Sequence, residues 1–527
     1  DSDGRSHPLQ DKVESPGVYL LKLKLMSNEG ENAAMPELDH TSLQAVLLAL
    51  RDPQDLASAA CVCRAWQSCC AADSLWAARL ASDFGVCPEK VIRPGSGGWP
   101  GPPPMDTAHT SPRESWSDWN GAFGTKGEEA AKKRETVKRM CEVVGRLKKG
   151  LCSIGLSEVV DTFHRGHTEQ ELSALEAMLD LDLPLALRVL WSCWGGQQQV
   201  SIRTAADITP RLFYGALGGY GFYEFVQSMH LLSLPDAVKT TMQLTQNMDI
   251  PEKSVAMAAS LNKQKQVAVR CDTGAVLIAI PGSRSPQPAS PSPEELQDCT
   301  DVPRRDVPLL LWLENFVQMM EDKAIGAEPI CKHLHSSMGI DSSLGVCLFP
   351  NRKPRPCRGL PYSGPVGSES LTHGVRVCAR PLYIPEMSHG RRRLFFAYSI
   401  RMELLPGFHL QECQLVRRHW VIRGADGRVQ DEVEGEGVVG EFPILRPGQP
   451  PFVYQSCTNS SAEGSSMEGH LEFVAGTLSP DRLQAARAAS YDQANEAAQP
   501  PPHAAGVDST FRVAVEPFTF CLPKYIY

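Results

Sequence analysis

The stretch VEGEGVVGEFPILRPG, Val433–Gly448, contains a Gly-x-Gly-x-x-Gly at Gly435, Gly437 and Gly440, and its flanks decide what kind of fold surrounds it. A dinucleotide-binding fingerprint needs a strand before the glycines, a helix after them and an acidic residue about 20 positions on. Here Pro447 follows the third glycine within about two turns, so a helix has no room to grow. The stretch reads instead as a glycine-rich turn in a β-rich region. Two roles stay open for its glycines: relief of positive φ at a bend, which is the favoured reading, or backbone amides that converge on an anion.

Short alternating runs flank the turn on both sides: Val375–Val377, Phe395–Ile400, Trp420–Arg423, Leu471–Phe473 and Phe511–Val515. Gly424-Ala425-Asp426-Gly427 separates two of them as a tight turn. That spacing predicts an all-β antiparallel sandwich over 368–527, with an alanine-rich insertion at 476–508. Upstream, 326–367 reads as a linker around NRKPRPCRGLPYSGPVG.

The region 128–325 mixes periodicities and predicts an α+β domain. TEQELSALEAMLDLDLPLALRVLWSCWGGQ reads as a capped helix, a turn at Leu183-Pro184 and a second helix stopped by Gly195-Gly196. KQVAVRCDTGAVLIAI alternates on both sides of Asp272-Thr273-Gly274, a hairpin signal. Leu309–Met320 predicts a final apolar helix, and 281–303 has the composition of a loop insertion. Further upstream, 87–127 is a Gly/Pro-rich linker and 1–34 a disordered leader.

Between them, 36–86 predicts three short helices, an all-α unit. Leu43, Val46, Leu47 and Leu50 fall at i, i+3, i+4 and i+7. Asp52-Pro53-Gln54-Asp55 is a helix start, with Asp52 as N-cap and Pro53 preset at the first helical position.

The chain has 527 residues, enough for about three or four domains. A net charge of -9 argues against a nucleic-acid partner, which needs a basic face. Apolar runs such as Val307–Leu313 fall short of the roughly 18 residues that span a bilayer, so no membrane partner is expected. The first residues lack the layout of a secretory signal, and the start at Asp1 leaves a processed or truncated N-terminus open. The 17 cysteines, an odd number, fit reduced thiols in the cytoplasm and/or nucleus. Cys61, Cys63, Cys69 and Cys70 lack Cys-x-x-Cys spacing and read as buried thiols, and Cys331, His333 and His335 want further ligands. No metal or cofactor is expected.

The helical trio resembles an F-box. Leu38, Leu43–Leu50, Asp52-Pro53-Gln54-Asp55-Leu56, Val62-Cys63-Arg64-Ala65-Trp66 and Leu75-Trp76 carry the pattern, which departs at Leu38-Asp39 where Leu-Pro is usual. The resemblance implies a surface for a Skp-type adaptor on a cullin scaffold. Its candidates are Leu43, Val46, Leu47, Leu50, Asp52, Pro53, Leu56, Val62, Cys63, Trp66, Leu75 and Trp76.

The C-terminal region resembles an ApaG domain, a fibronectin-like sandwich, through Gly435, Gly437, Gly440, Pro447, Gly448, Tyr454, Ser456, Met467 and Gly469. That resemblance implies a phosphate or similar ligand at Gly435, Gly437 and Gly440. The middle segments LDLPLALRVLWSCWGGQ and LGGYGFYEF resemble the SUKH (Smi-Knr-like) fold, a protein-interaction domain; the cluster Tyr220, Phe222, Tyr223 and Phe225 reads first as core.

Together the three resemblances imply the substrate-recognition subunit of an SCF-type E3 ubiquitin ligase, non-catalytic itself, with an unknown target protein. The rival is a phosphate or nucleotide sensor, or a hydrolase, on the sandwich, for which Glu436, Glu441, Arg446 and His470 are the available groups.

Overall fold

The computed structural model describes residues 40–49, 64–72, 74–76, 78–79, 128–198, 214–223, 225–292, 295–296, 299–330, 344–357, 361–389, 393–495 and 510–527. The predicted leader at 1–34 and the linker at 87–127 lie outside the described residues. The chain divides into two compact units, Asp1–Cys141 and Glu142–Tyr527.

In the first unit, α1 (His40–Ala49) packs on α2 (Arg64–Ala71). Leu43 and Leu47, four residues apart and therefore on one helix face, are both buried, as are Leu75 and Trp76. The Trp76 indole N–H donates to the Cys70 carbonyl at 2.8 Å, which satisfies the one polar atom of that buried ring.

The second unit holds two modules. Its middle module is an eight-stranded sheet in the order β8-β7-β6-β5-β4-β3-β10-β9. The strands are β3 (Gly219–Phe222), β4 (Phe225–Leu231), β5 (Ser254–Ser260), β6 (Gln266–Arg270), β7 (Val276–Ala279), β8 (Gln287–Pro288), β9 (Gly326–Pro329) and β10 (Leu344–Cys347). A separate pair, β1 (Phe163–Arg165) and β2 (Trp194–Gln197), runs antiparallel.

The helices of this module begin where their sequence says they should. The helix Glu169–Leu179 opens with a capping box, in which the Thr168 hydroxyl accepts from the Glu171 N–H at 3.1 Å and the Glu171 carboxylate accepts from the Thr168 N–H at 2.7 Å. The helix Val307–Glu321 is apolar nearly all round, and Leu309, Leu310, Leu311, Trp312, Phe316 and Val317 are buried. Such a helix belongs inside a core.

Two expected boundaries need correction. Residues 326–367 are not a linker throughout: β9 and β10 pair antiparallel within them, and Cys347 pairs in parallel with Gly219 of β3. Four-residue strands carry too little alternation to be read locally, and their partner lies far off in the chain. The insertion at 281–303 is likewise not all loop, since β8 pairs with β7 and Ala289 and Ser290 are buried beside it.

The C-terminal module is a sandwich of two antiparallel sheets. One runs β11 (Ser368–Thr372), β12 (Val375–Tyr383), β13 (Leu394–Leu404), β17 (Phe452–Ser460). The other runs β15 (Val429–Glu436), β14 (Cys413–Arg423), β18 (Ser465–Ala475), β19 (Thr510–Phe520), with β16 (Ile444–Leu445) beside β14. Every second residue points inward, so Val375, Val377 and Ala379 of β12 and Phe396 and Ile400 of β13 share the core with Trp420, Leu471, Phe473, Phe518 and Phe520 of the other sheet. Burying each large side chain contributes about 1.5–3 kcal/mol. The insertion at 476–508 contributes a helix, Pro480–Asn495, that touches β15.

The two modules of this unit are joined by more than the chain. Arg380 of β12 is buried and forms a two-bond pair with Glu328 of β9, at 2.7 and 2.9 Å. The tail after β19 leaves the sandwich for the middle core. There the Tyr527 ring lies 4.9 Å from Trp312 and 5.0 Å from Phe316, its hydroxyl donates to the Trp312 carbonyl at 3.0 Å, and the Trp312 indole donates to the Ile526 carbonyl at 2.9 Å.

Candidate functional site

Among the predicted adaptor residues, Leu50, Asp52, Pro53, Leu56, Val62 and Cys63 lie outside the described residues, as do the side chains of Val46 and Trp66. The other four are Leu43 (3% exposed), Leu47 (0%), Leu75 (0%) and Trp76 (7%), so they pack the helical unit from inside. Among the described residues of 40–79, the exposed positions are Ala45, Gln67, Ser68, Ala71 and Ser74.

The glycine stretch closes a two-residue hairpin. Val438 and Glu441 exchange N–H···O bonds at 2.9 and 2.8 Å around Val439 (φ +46) and Gly440 (φ +77), and two successive positive φ values are the signature of a type I′ turn. Gly437 (φ +59) donates to the Val416 carbonyl at 2.8 Å, and a Cβ there would stand 2.6 Å from the Glu441 carbonyl. Arg418 caps the loop from below, donating to the carbonyls of Glu436 at 3.1 Å and Gly437 at 2.7 Å. The N–H groups of Val438 and Glu441 are thus taken up inside the turn, and that of Gly437 by β14. Gly435, within β15, pairs with Arg418, whose guanidinium occupies the space a Cβ would need.

The groups considered for hydrolysis are engaged separately. Arg446 pairs with Glu412 at 2.9 Å. Glu436 pairs with Arg417 at 3.2 Å, and burial raises its pKa. His470 lies 3.6 Å from Glu472 and 4.8 Å, ring to ring, from its cross-strand neighbour His419; burial, Arg512 and His419 lower its pKa. Glu441 is exposed at the hairpin.

Of the predicted aromatic cluster, Tyr220 and Phe222 are core, whereas Tyr223 is 48% exposed at the β3–β4 turn and its hydroxyl meets the Ser456 hydroxyl at 2.8 Å. Cys69 and Cys70 are buried thiols, Cys61 and Cys63 lie outside the described residues, and so does the segment Cys331, His333 and His335. Among the described residues no group of His, Cys, Asp and Glu is arranged to hold a metal, and no helix is long and apolar enough to cross a membrane.

Sequence reasoning missed a cleft of about 750 Å³ where the middle module meets the sandwich. Three segments line it, the loop around β8, the stretch Tyr383–His389 after β12 and the tail Leu522–Ile526, together with Leu394 of β13. Its size falls in the range of ligand and peptide sites. No signal short of the tertiary structure brings these segments together.

The helical unit and the sandwich define a class: a multidomain protein that joins a small helical module to an all-β one. Comparison with known proteins makes the class specific. The F-box-like family matches residues 42–80 and the ApaG domain family residues 386–475. The chain is 42% identical over 105 residues to Protein ApaG of Rhodospirillum centenum, covering 77% of that protein and 20% of this chain. It is 29% identical over 453 residues to F-box protein SKIP16 of Arabidopsis thaliana, covering 82% of this chain and 92% of that one. Against human F-box only protein 3 it is 41% identical over 109 residues, 20% of this chain and 22% of the relative. The chain belongs to the ApaG family through its C-terminal sandwich, and it carries an F-box-like region at its other end.

Proposed function

We propose that this chain is the substrate receptor of an SCF-type cullin–RING E3 ubiquitin ligase. The F-box-like unit binds a Skp-type adaptor on the cullin scaffold. The middle domain, a protein-interaction module of the SUKH (Smi-Knr-like) type, and the ApaG domain hold the target protein. Chemistry resides in other subunits, and this chain contributes proximity, keeping a target lysine near a charged conjugating enzyme. The complex works in the cytoplasm and/or nucleus.

The observation that carries this reading is the presence of an F-box-like region and an ApaG domain in one chain, aligned over 92% of an F-box protein. Co-precipitation of the full chain with a purified Skp-type adaptor tests it, beside a variant lacking residues 36–86. Recovery with the full chain and loss with the deletion are expected; equal recovery from both refutes the assignment.

A further inference from the structure

Glu386, which lines the cleft between the middle module and the sandwich, is held by a buried relay drawn from distant parts of the chain. Lys265 of the middle module is fully buried; its ammonium donates to the Tyr220 hydroxyl at 3.1 Å and to the main-chain oxygen of Tyr527. The Tyr220 hydroxyl in turn donates to Glu386 Oε1 at 2.5 Å. Burial lowers the pKa of Lys265 and raises that of Tyr220, and Glu386 acts on each of them in the direction of keeping the proton. The relay therefore fixes one oxygen of Glu386 and holds the side chain in place.

The other oxygen is unused. Glu386 Oε2 is buried and has no hydrogen-bond partner among the described residues, while Glu386 itself lines the cleft. A buried carboxylate oxygen without a donor destabilises the fold, and that cost is recovered when a ligand supplies the donor. The second carboxylate on the cleft, Glu295, is already paired with Lys524 at 2.8 Å. Around these groups the walls are apolar and extended: Pro286, Pro288 and Pro291 on one side, Leu394, Leu522 and Ile526 on the other. Gln287 braces the two sides, accepting from the Tyr383 hydroxyl at 2.8 Å and donating to the Pro385 carbonyl at 3.2 Å.

We infer that this cleft binds an extended peptide segment of the target protein and seats an arginine or lysine side chain of it on Glu386. The apolar walls take the aliphatic stem and neighbouring residues, and the carboxylate takes the charged end. The inference rests on the receptor reading and names the chemistry of what the receptor holds.

An oriented degenerate octapeptide library, with one fixed position scanned through all residue types, is presented to the purified full chain. Arginine or lysine at the fixed position should be enriched at least about fivefold over the mean, the preference expected when one desolvated charge pair contributes. Glu386→Gln keeps the shape and the Tyr220 contact and should abolish the enrichment. Because Glu386 is tied to a buried network, Ser285→Trp is the second variant: Ser285 is exposed on the cleft rim, so the indole blocks entry without touching the core. Enrichment that survives both variants, enrichment of acidic residues, or no enrichment in the unaltered chain overturns the inference. Adaptor recovery measured on the same preparations separates the two claims: a chain that binds adaptor yet selects no basic residue removes the cleft inference alone.

Discussion

The sandwich and the middle sheet are built from similar strands by different routes. In the sandwich, several neighbours in the sheet are neighbours in sequence: β14 turns into β15 through Gly424–Gly427, and β11 into β12 through His373-Gly374. In the middle module one edge is closed by β10 pairing in parallel with β3, the core receives Tyr527 from the far end of the chain, and a buried arginine of the sandwich neutralises a glutamate of β9. Local turns can be checked one by one in a sequence. A sheet completed at a distance is settled only by packing, and its weak points lie where the two modules meet.

That difference is easiest to break at Arg380. Replacing it with methionine leaves Glu328 partly buried without its partner, and losing one member of such a pair costs about 3–5 kcal/mol. Urea unfolding of the full chain should show the loss, with fluorescence and circular dichroism reporting a common shift; two separate transitions, with the sandwich unaffected, would mean the modules stand apart.

The next effect is one of pH. Asp306 is buried, accepts from the Ala186 N–H at 2.8 Å, and has its pKa pushed up to about 6 by desolvation. A carboxyl whose folded pKa lies above its unfolded value favours the folded state most at low pH. Its contribution is fully present below about pH 4 and is lost as pH rises through about 6, a change of about 3 kcal/mol. Asp306→Asn keeps the acceptor oxygen, so the stability difference between variant and parent should grow in the variant's favour across that window. A difference that stays flat from pH 4 to 7 contradicts the burial argument.

The sandwich offers smaller, local effects. Gly437→Val meets both a positive φ and the Glu441 carbonyl, and should destabilise by about 1–3 kcal/mol. Val439→Gly removes a β-branched residue from φ +46 and should stabilise by about 1 kcal/mol. Thermal melts with and without pyrophosphate read both. If Gly437→Val leaves the melting temperature alone and removes a pyrophosphate-dependent rise, the stretch is a ligand site and not a turn.

These same places mark what the sequence could carry. The capping box at Thr168 and Glu171 and the turn at Asp272-Thr273-Gly274 declare themselves within a few residues. Gly274 in particular has φ +76 and no room for a Cβ beside the Arg305 carbonyl. By contrast, β9 and β10 are four residues long, contain glycine or proline, and find their place only by pairing with each other and, through β10, with β3. The F-box-like stripe carries a related ambiguity: the spacing of Leu43 and Leu47 is the same whether the side chains face a partner or one another. Glu386 was invisible because Tyr220, Lys265 and Tyr527 come to it from three separate segments.

The central claim is that one end of the chain takes an adaptor while the other holds a target. Calorimetric titration of a purified Skp-type adaptor with the full chain tests it most directly, using Leu47→Arg, which places a charge in the helical core, and Ser285→Trp at the cleft rim. A one-to-one complex with the unaltered chain, the same affinity for Ser285→Trp, and at least tenfold weaker binding for Leu47→Arg are expected. Absence of heat with the unaltered, folded chain, or equal affinity for Leu47→Arg, contradicts it.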